Sequence, residues 1–210
     1  MNHILITLCS AFLVLIVILP LVRLKLRTGN FGIVVRENSS GVETIVRLST
    51  SIMFLGLVAL SIKVLNSGIE NMQPFIDPQK FWVYGAALSV AGMLVIVIAQ
   101  AQMGASWRIG IDNAATELCT DGLYRLVRHP IYLGIYLCLI GVALVAPTAW
   151  TLVVVTPGFL LVALQAHLEE KHMFNQHGDD FLKWAKNTGR ILPGIGTLKD
   201  EEEAKTKLGC

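Results

Sequence analysis

DGLYRLVRHPIYLG, residues 121–134, leads from a charged, aromatic-bearing approach straight into an apolar run, Ile131–Ala146. It sets Tyr124, Arg125, Arg128, His129 and Tyr132 at the mouth of what its hydropathy makes a membrane helix. Thirty-five residues after Gly134, Glu169 and Glu170 stand at the end of a second apolar run, Trp150–His167. Ionisable groups are expensive at membrane depth, so such a cluster at helix ends marks a candidate functional site.

The rest of the chain agrees with a membrane setting. Of its 210 residues, 54% are hydrophobic and only 15% charged, and mean hydropathy is +0.62. Soluble domains carry about a quarter charged residues. A net charge of +2 does not argue for nucleic acid; basic loops facing an anionic leaflet account for it. Cys9, Cys119, Cys138 and Cys210 lack paired spacing, so neither a disulfide framework nor a metal site is expected.

Runs long enough to cross a bilayer, about 17–25 residues, occur at Ile4–Val22, Val46–Leu65 and Phe81–Ala101. Two tighter runs, Ile131–Ala146 and Trp150–His167, are joined at Pro147. The sequence therefore predicts an all-α, polytopic membrane protein with five transmembrane helices. The last two form a short helical hairpin, followed by a cytosolic C-terminal amphipathic segment. The sixteen residues of Ile131–Ala146 reach about 24 Å, barely the hydrocarbon thickness. Pro157 should kink the fifth span.

Fifteen of the seventeen lysines and arginines fall on one side of this layout; Lys63 and Lys80 fall on the other. The positive-inside rule then puts the N-terminus outside and the C-terminus in the cytosol. Phe81, Trp82, Tyr84 and Trp150 belong to the outer interfacial belt. Gly85, Ser89, Ala91 and Gly92 make a small-residue face suited to close helix packing. Residues 1–103 divide off as three spans with their loops, 104–195 as the part that carries chemistry, and 196–210 as a charged tail, with Lys199–Lys207 expected to be disordered.

Pro130 suits the first turn of its helix, where a missing N–H costs nothing, and leaves His129 as an extended cap. A helix start with Arg125 and Arg128 beside it suits a carboxylate or phosphate. Lipid-headgroup binding by the arginines and a passive histidine cap explain the same residues. Gln165 and Glu169 share a helix face, and in an antiparallel hairpin Glu169 lies level with His129. The pair of helix ends can then hold a zwitterion, its carboxylate at the basic cap and its ammonium at Glu169. A plain salt bridge to Arg128 is the alternative role for Glu169. Glu170 points elsewhere and is expected to pair with Lys171 or Arg190. Tyr124 suits ring stacking or interfacial anchoring. Phe181 and Trp184, after Gly178, fit an amphipathic helix lying on the cytosolic leaflet.

Together these residues resemble the isoprenylcysteine carboxyl methyltransferase family and the wider phospholipid-methyltransferase-like group of membrane enzymes. The shared pattern stands as Arg128-His129-Pro130-Ile131-Tyr132-Leu133-Gly134, Glu169-Glu170, Gly178, Phe181, Trp184, Arg190 and Pro193, across roughly residues 104–195. Upstream, Ser106–Ile111 and Leu118–Tyr124 look like bacterial members, which implies a bacterial inner membrane. The resemblance implies S-adenosyl-L-methionine as cofactor, held without a Rossmann domain, and a lipophilic or lipidated acceptor arriving from the bilayer. It assigns cofactor contacts to Thr116, Glu117, Leu118, Cys119, Tyr124, Arg128, His129, Pro130, Ile131, Tyr132, Gly134, Glu169 and Glu170. Arg190 and Arg108 are the basic candidates for the acceptor side. Family members acting on prenylcysteine carboxylates carry arginine where this chain has Gln165, and a neutral amide cannot grip a carboxylate in the bidentate way of arginine. Membrane sterol reductases, which use NADPH, resemble the same half of the chain, and a non-catalytic membrane scaffold is a third reading.

Overall fold

Two helices meet here with almost no side chain between them. In the computed structural model, which describes residues 1–29, 41–103 and 118–209, α4 (Trp82–Met103) packs along α5 (Pro130–Val145). Gly85 opposes Gly141, and Gly92 opposes Gly134. A Cβ added at any of the four would lie 2.5–2.6 Å from the facing carbonyl oxygen. Gly85, Ser89 and Gly92 of the small-residue face expected on the third apolar run therefore form a helix–helix seam, facing Gly141, Cys138 and Gly134, while Ala91 is exposed. Without a hydrophobic drive between helices in lipid, such close backbone approach supplies the dispersion contacts that hold them. Gly141→Val is expected to wedge the seam apart, because even its Cβ would meet the Gly85 carbonyl and the Ser89 hydroxyl. Overpacking of this kind costs about 1–3 kcal/mol or more, read as a lower unfolding midpoint in detergent.

The N-terminal helix α1 (Asn2–Phe12) widens into a π-helical turn at Leu13–Ile18 and continues as α2 (Leu19–Thr28). Pro20 explains the widening, since its ring and missing N–H disturb the turn before it. Leu5, Leu8 and Phe12 of α1 join Leu57, Leu60 and Val64 of α3 (Gly41–Ser67) and Ile96, Leu139 and Val142 of the seam in one core. Outside that core the long helices present bare apolar side chains: Tyr84 and Val153 are 69% exposed and Leu160 70%. A surface of this kind suits acyl chains, not water.

Asn2–Arg23, Trp82–Met103 and Ala149–His177 are long and apolar enough to cross a membrane, while Phe54–Ser67 and Pro130–Val145 are shorter apolar helices. Opposite ends of the bundle are well marked. At one, Lys63 lies over the Trp150 ring at 5.4 Å and the Phe75 N–H donates to the Pro147 carbonyl at 2.9 Å. The end of α4, the start of α5 and residues 165–177 gather at the other.

The helix after Pro147, α6 (Ala149–His177), carries Gln165 and Glu169 on one helix as expected and runs on past the apolar stretch to Gly178, whose φ of 50° ends it. Glu169 and Glu170 thus lie inside the helix, with two further turns beyond them, and not at its end. One expectation needs correcting: residues 199–207 are not a disordered tail. Asp200 caps α8 (Glu201–Leu208) by accepting from the Glu203 N–H at 2.8 Å, and Glu203 reaches back to the Lys199 N–H at 2.6 Å, a reciprocal capping arrangement. Ala204 and Leu208 bury against Phe174, Phe181 and Leu198. The charge-rich composition hid two apolar positions four apart on one face.

Candidate active site

The segment before α5 is held by backbone pairing. Arg128 and His129 donate their N–H groups to the Gly189 and Arg190 carbonyls at 2.8 and 3.0 Å, beside a short parallel bridge between Val127 and Gly189. Pro130 then opens α5 at its first turn, as its missing N–H favours. This pairing fixes the His129 side chain against α6.

There the two adjacent carboxylates part company. Glu170, with a side chain 3% exposed, lies 2.8 Å from Arg128 Nε, 3.0 Å from Arg190 Nε and 3.3 Å from His129 Nε2. Glu169 faces the mouth of the hairpin, 32% exposed, with its Oε2 3.7 Å from His129 Nδ1. The Tyr132 hydroxyl donates to Glu169 Oε1 at 2.5 Å, and the Gln165 amide, one turn away, lies 3.4 Å from the same oxygen. The His129 ring stacks on Tyr132 with centroids 5.2 Å apart. Among the described residues no lysine or arginine forms an ion pair with Glu169. One carboxylate is neutralised inside the protein and its neighbour is left partly exposed.

Arg128 is wrapped by the chain itself. Besides Glu170, its guanidinium donates to the carbonyls of Thr188 at 2.5 Å, Ala185 at 3.3 Å and Gly196 at 2.8 Å. A buried guanidinium engaged this fully is a clamp that fastens the C-terminal segment to α5 and α6. The sequence-level option of a salt bridge from Arg128 to Glu169 is not what the fold adopts; the partner is Glu170. Arg190 takes the Glu170 pairing expected of it.

Tyr124 is 5% exposed, so it is not an interfacial anchor. It sits in the short helical turn Gly122–Arg125, and its carbonyl accepts from the Trp184 indole at 2.9 Å. Its hydroxyl is buried without a hydrogen bond and lies within electrostatic reach of Glu169 and Tyr132. Burial, with Cys119 and Glu169 nearby, pushes the phenol well above its ordinary pKa. The half-buried Cys119 thiol is pushed up chiefly by burial as well. Both groups therefore stay protonated at neutral pH, as neutral donors rather than anions.

Other candidates lie elsewhere. Gly134 faces α4, where Ile96 and the Gly92 carbonyl occupy the space beside it, so its part is helix packing. Ile131 packs against the bundle core, and Leu118 against the Phe174–Phe181 cluster. Phe181 is fully buried and Trp184 partly so; α7 (Asp179–Asn187) thus turns its apolar face into the protein, not onto a leaflet. Arg108, Thr116 and Glu117 lie outside the described residues. Gln102 was not singled out from the sequence. Its side-chain oxygen accepts the Leu123 N–H at 2.9 Å, and its amide closes over Gly122, whose φ of 61° bends the turn that carries Tyr124. A polar residue ending an apolar run was the only available hint.

Residues 81–180 match the family of phospholipid methyltransferases, the group that the Arg-His-Pro and paired-glutamate motifs resemble. Similar curated proteins include the nickel-cobalt-cadmium resistance protein NccN of Alcaligenes xylosoxydans xylosoxydans, 25% identical over 61% of this chain and 60% of its own length. Methanethiol S-methyltransferase of Crocosphaera subtropica is 31% identical over 37% of this chain and 29% of its own. Phosphatidylethanolamine N-methyltransferase of Scheffersomyces stipitis is 27% identical over 70% of this chain and 18% of its own. The chain thus spans less than two thirds of the length of each of these relatives. The family and two of these three relatives are named as methyltransferases, and the matched region contains the α4–α5 seam, the His129 cap and both glutamates.

Proposed function

We propose that this chain is an integral membrane methyltransferase of five spans, N-terminus outside and C-terminus cytosolic, that uses S-adenosyl-L-methionine to methylate a lipophilic acceptor. The observation that carries this reading is the division of labour between Glu169 and Glu170. A carboxylate free of lysine and arginine partners among the described residues, partly exposed beside a helix start and a buried donor hydroxyl, is the donor set an amino-acid zwitterion requires. Glu169 would receive the ammonium, and the first N–H groups of α5 would receive the carboxylate. The orphaned Tyr124 hydroxyl is a neutral donor available to the same ligand.

When bound, the cofactor supplies an electrophilic methyl group on a sulfonium sulfur. The protein's own contribution is then mostly alignment. Tyr132 and Gln165 hold the Glu169 carboxylate in one orientation, the Arg128–Glu170 clamp fixes the wall behind it, and Arg190 borders the acceptor side. Holding two reactants in line is worth roughly 7–11 kcal/mol. The acceptor would enter from the bilayer. The relatives' names cover both a thiol and an amine lipid as acceptors, and Gln165 in place of arginine weighs against a prenylcysteine carboxylate.

Calorimetric titration of the purified protein with S-adenosylhomocysteine tests the reading: one site per chain is expected, and silence across the titration rejects it. Mass spectrometry of lipid extracts incubated with protein and methyl-labelled S-adenosyl-L-methionine would then identify the acceptor.

A further inference from the structure

With the apolar face of α7 turned inward, a different surface of the same head is left bare. Leu126, Leu192 and Ile195 are 55%, 48% and 63% exposed. They come from two segments pinned to each other. The Gly189 N–H donates to the Leu126 carbonyl at 3.3 Å, the Arg190 N–H to the Ile195 carbonyl at 2.7 Å, and the Ile195 N–H to the Leu192 carbonyl at 3.1 Å. Gly194 and Gly196, at φ 73° and 77°, bend the turn, and Arg128 Nη2 holds the Gly196 carbonyl from within. The patch is therefore a built surface, joined through the Val127–Gly189 bridge to the segment that opens α5. Arg125, exposed, adjoins Leu126 in the first segment, and the exposed Lys186 lies in the last turn of α7, three residues before Gly189.

We propose that this patch is an interfacial anchor: Leu126, Leu192 and Ile195 insert just below the headgroups of the leaflet, with Arg125 and Lys186 against anionic headgroups. Large apolar side chains beside cations are the composition that binds at the headgroup–acyl boundary. Continuity favours lipid over a protein partner, because α5 begins at Pro130, four residues after Leu126, and the membrane surface has to pass close by. Since Arg190 and His129 share a backbone hydrogen bond, the depth of the patch also sets the depth at which the Glu169 opening meets the leaflet.

The proposal rests on the spanning placement of α5 and α6 and not on methyl transfer. Nitroxide labels at Ile195→Cys, Val153→Cys and Lys183→Cys, in a Cys119→Ser, Cys210→Ser background, report depth in vesicles of phosphatidylcholine with phosphatidylglycerol. The Ile195 label is expected to collide several-fold more with oxygen than with a water-soluble nickel chelate, as the Val153 label in the second turn of α6 does, whereas the Lys183 label shows the reverse. A lipid-like Val153 label with a water-like Ile195 label overturns the anchor and leaves the spans intact. A water-like Val153 label overturns the spanning placement and the anchor with it. An Ile195 label shielded from both quenchers means that a second copy covers the patch, which also overturns the lipid assignment. Omitting phosphatidylglycerol is expected to move the Ile195 label toward water; an unchanged profile overturns the part assigned to Arg125 and Lys186.

Discussion

Glu170→Ala is expected to be the most destabilising single substitution at the head of the hairpin, by about 3–5 kcal/mol, the usual loss when one partner of a buried ion pair is removed. Three groups lose their anion at once: Arg128 at 2.8 Å, Arg190 at 3.0 Å and His129 at 3.3 Å. Arg128 cannot escape to solvent, because its side chain is 1% exposed and its other donors are tied to three carbonyls. The change is read as a fall in the thermal unfolding midpoint of detergent-purified protein. Glu170→Gln keeps a hydrogen-bond acceptor and should fall between wild type and Glu170→Ala. The double variant Arg128→Met, Glu170→Met should recover part of the loss, since it leaves one fewer uncompensated charge, though the carbonyls of Ala185, Thr188 and Gly196 then lack their donor. A Glu170→Ala midpoint equal to that of the wild type would show that the buried cluster does not hold the head together.

Glu169→Ala is expected to behave in the opposite way. Its side chain is about a third exposed and its main internal contact is the Tyr132 hydroxyl, so stability should change by only about 1 kcal/mol. Affinity for S-adenosylhomocysteine should instead drop by roughly 30–150-fold, the low end of the 2–5 kcal/mol lost when a ligand charge is left unpaired. The low end applies because water reaches the site. Glu169→Gln preserves an acceptor for Tyr132 and removes the charge, so it should reproduce the affinity loss with still less change in midpoint. Calorimetric titration alongside thermal unfolding separates the two residues. If Glu169→Ala binds as the wild type does, or unfolds as Glu170→Ala does, the assignment of a ligand role to Glu169 and a structural role to Glu170 fails.

Much of the scaffold was readable along the chain. Hydropathy marked the apolar helices, Pro130 announced the start of α5, and Gly85, Ser89 and Gly92 gave away a close-packing face, though not the helix it meets. Misreadings share one cause: the sequence shows that a face is apolar without showing what covers it. Phe181 and Trp184 have the spacing of a membrane-surface helix, yet Phe174, Leu198, Ala204 and Leu208 close over that face. Charges in 199–207 masked Ala204 and Leu208 in the same manner. Tyr124 has the look of an interfacial anchor until Gln102 and Trp184 are seen to pin its turn inside.

By itself the sequence determined the class of this protein: a helical membrane chain with a basic, histidine-capped helix start and two carboxylates able to reach it. These are properties of composition, periodicity and a proline's missing N–H, and they survive in one dimension. Only the tertiary structure decided which of the two glutamates Arg128 takes: it pairs with Glu170, and Glu169 keeps no lysine or arginine partner among the described residues. Adjacent residues on a helix differ by about 100° of rotation, and the choice between them depends on where Arg128 and Arg190 are fastened. Arg128 is fastened by backbone carbonyls, which every residue possesses and no sequence motif can advertise.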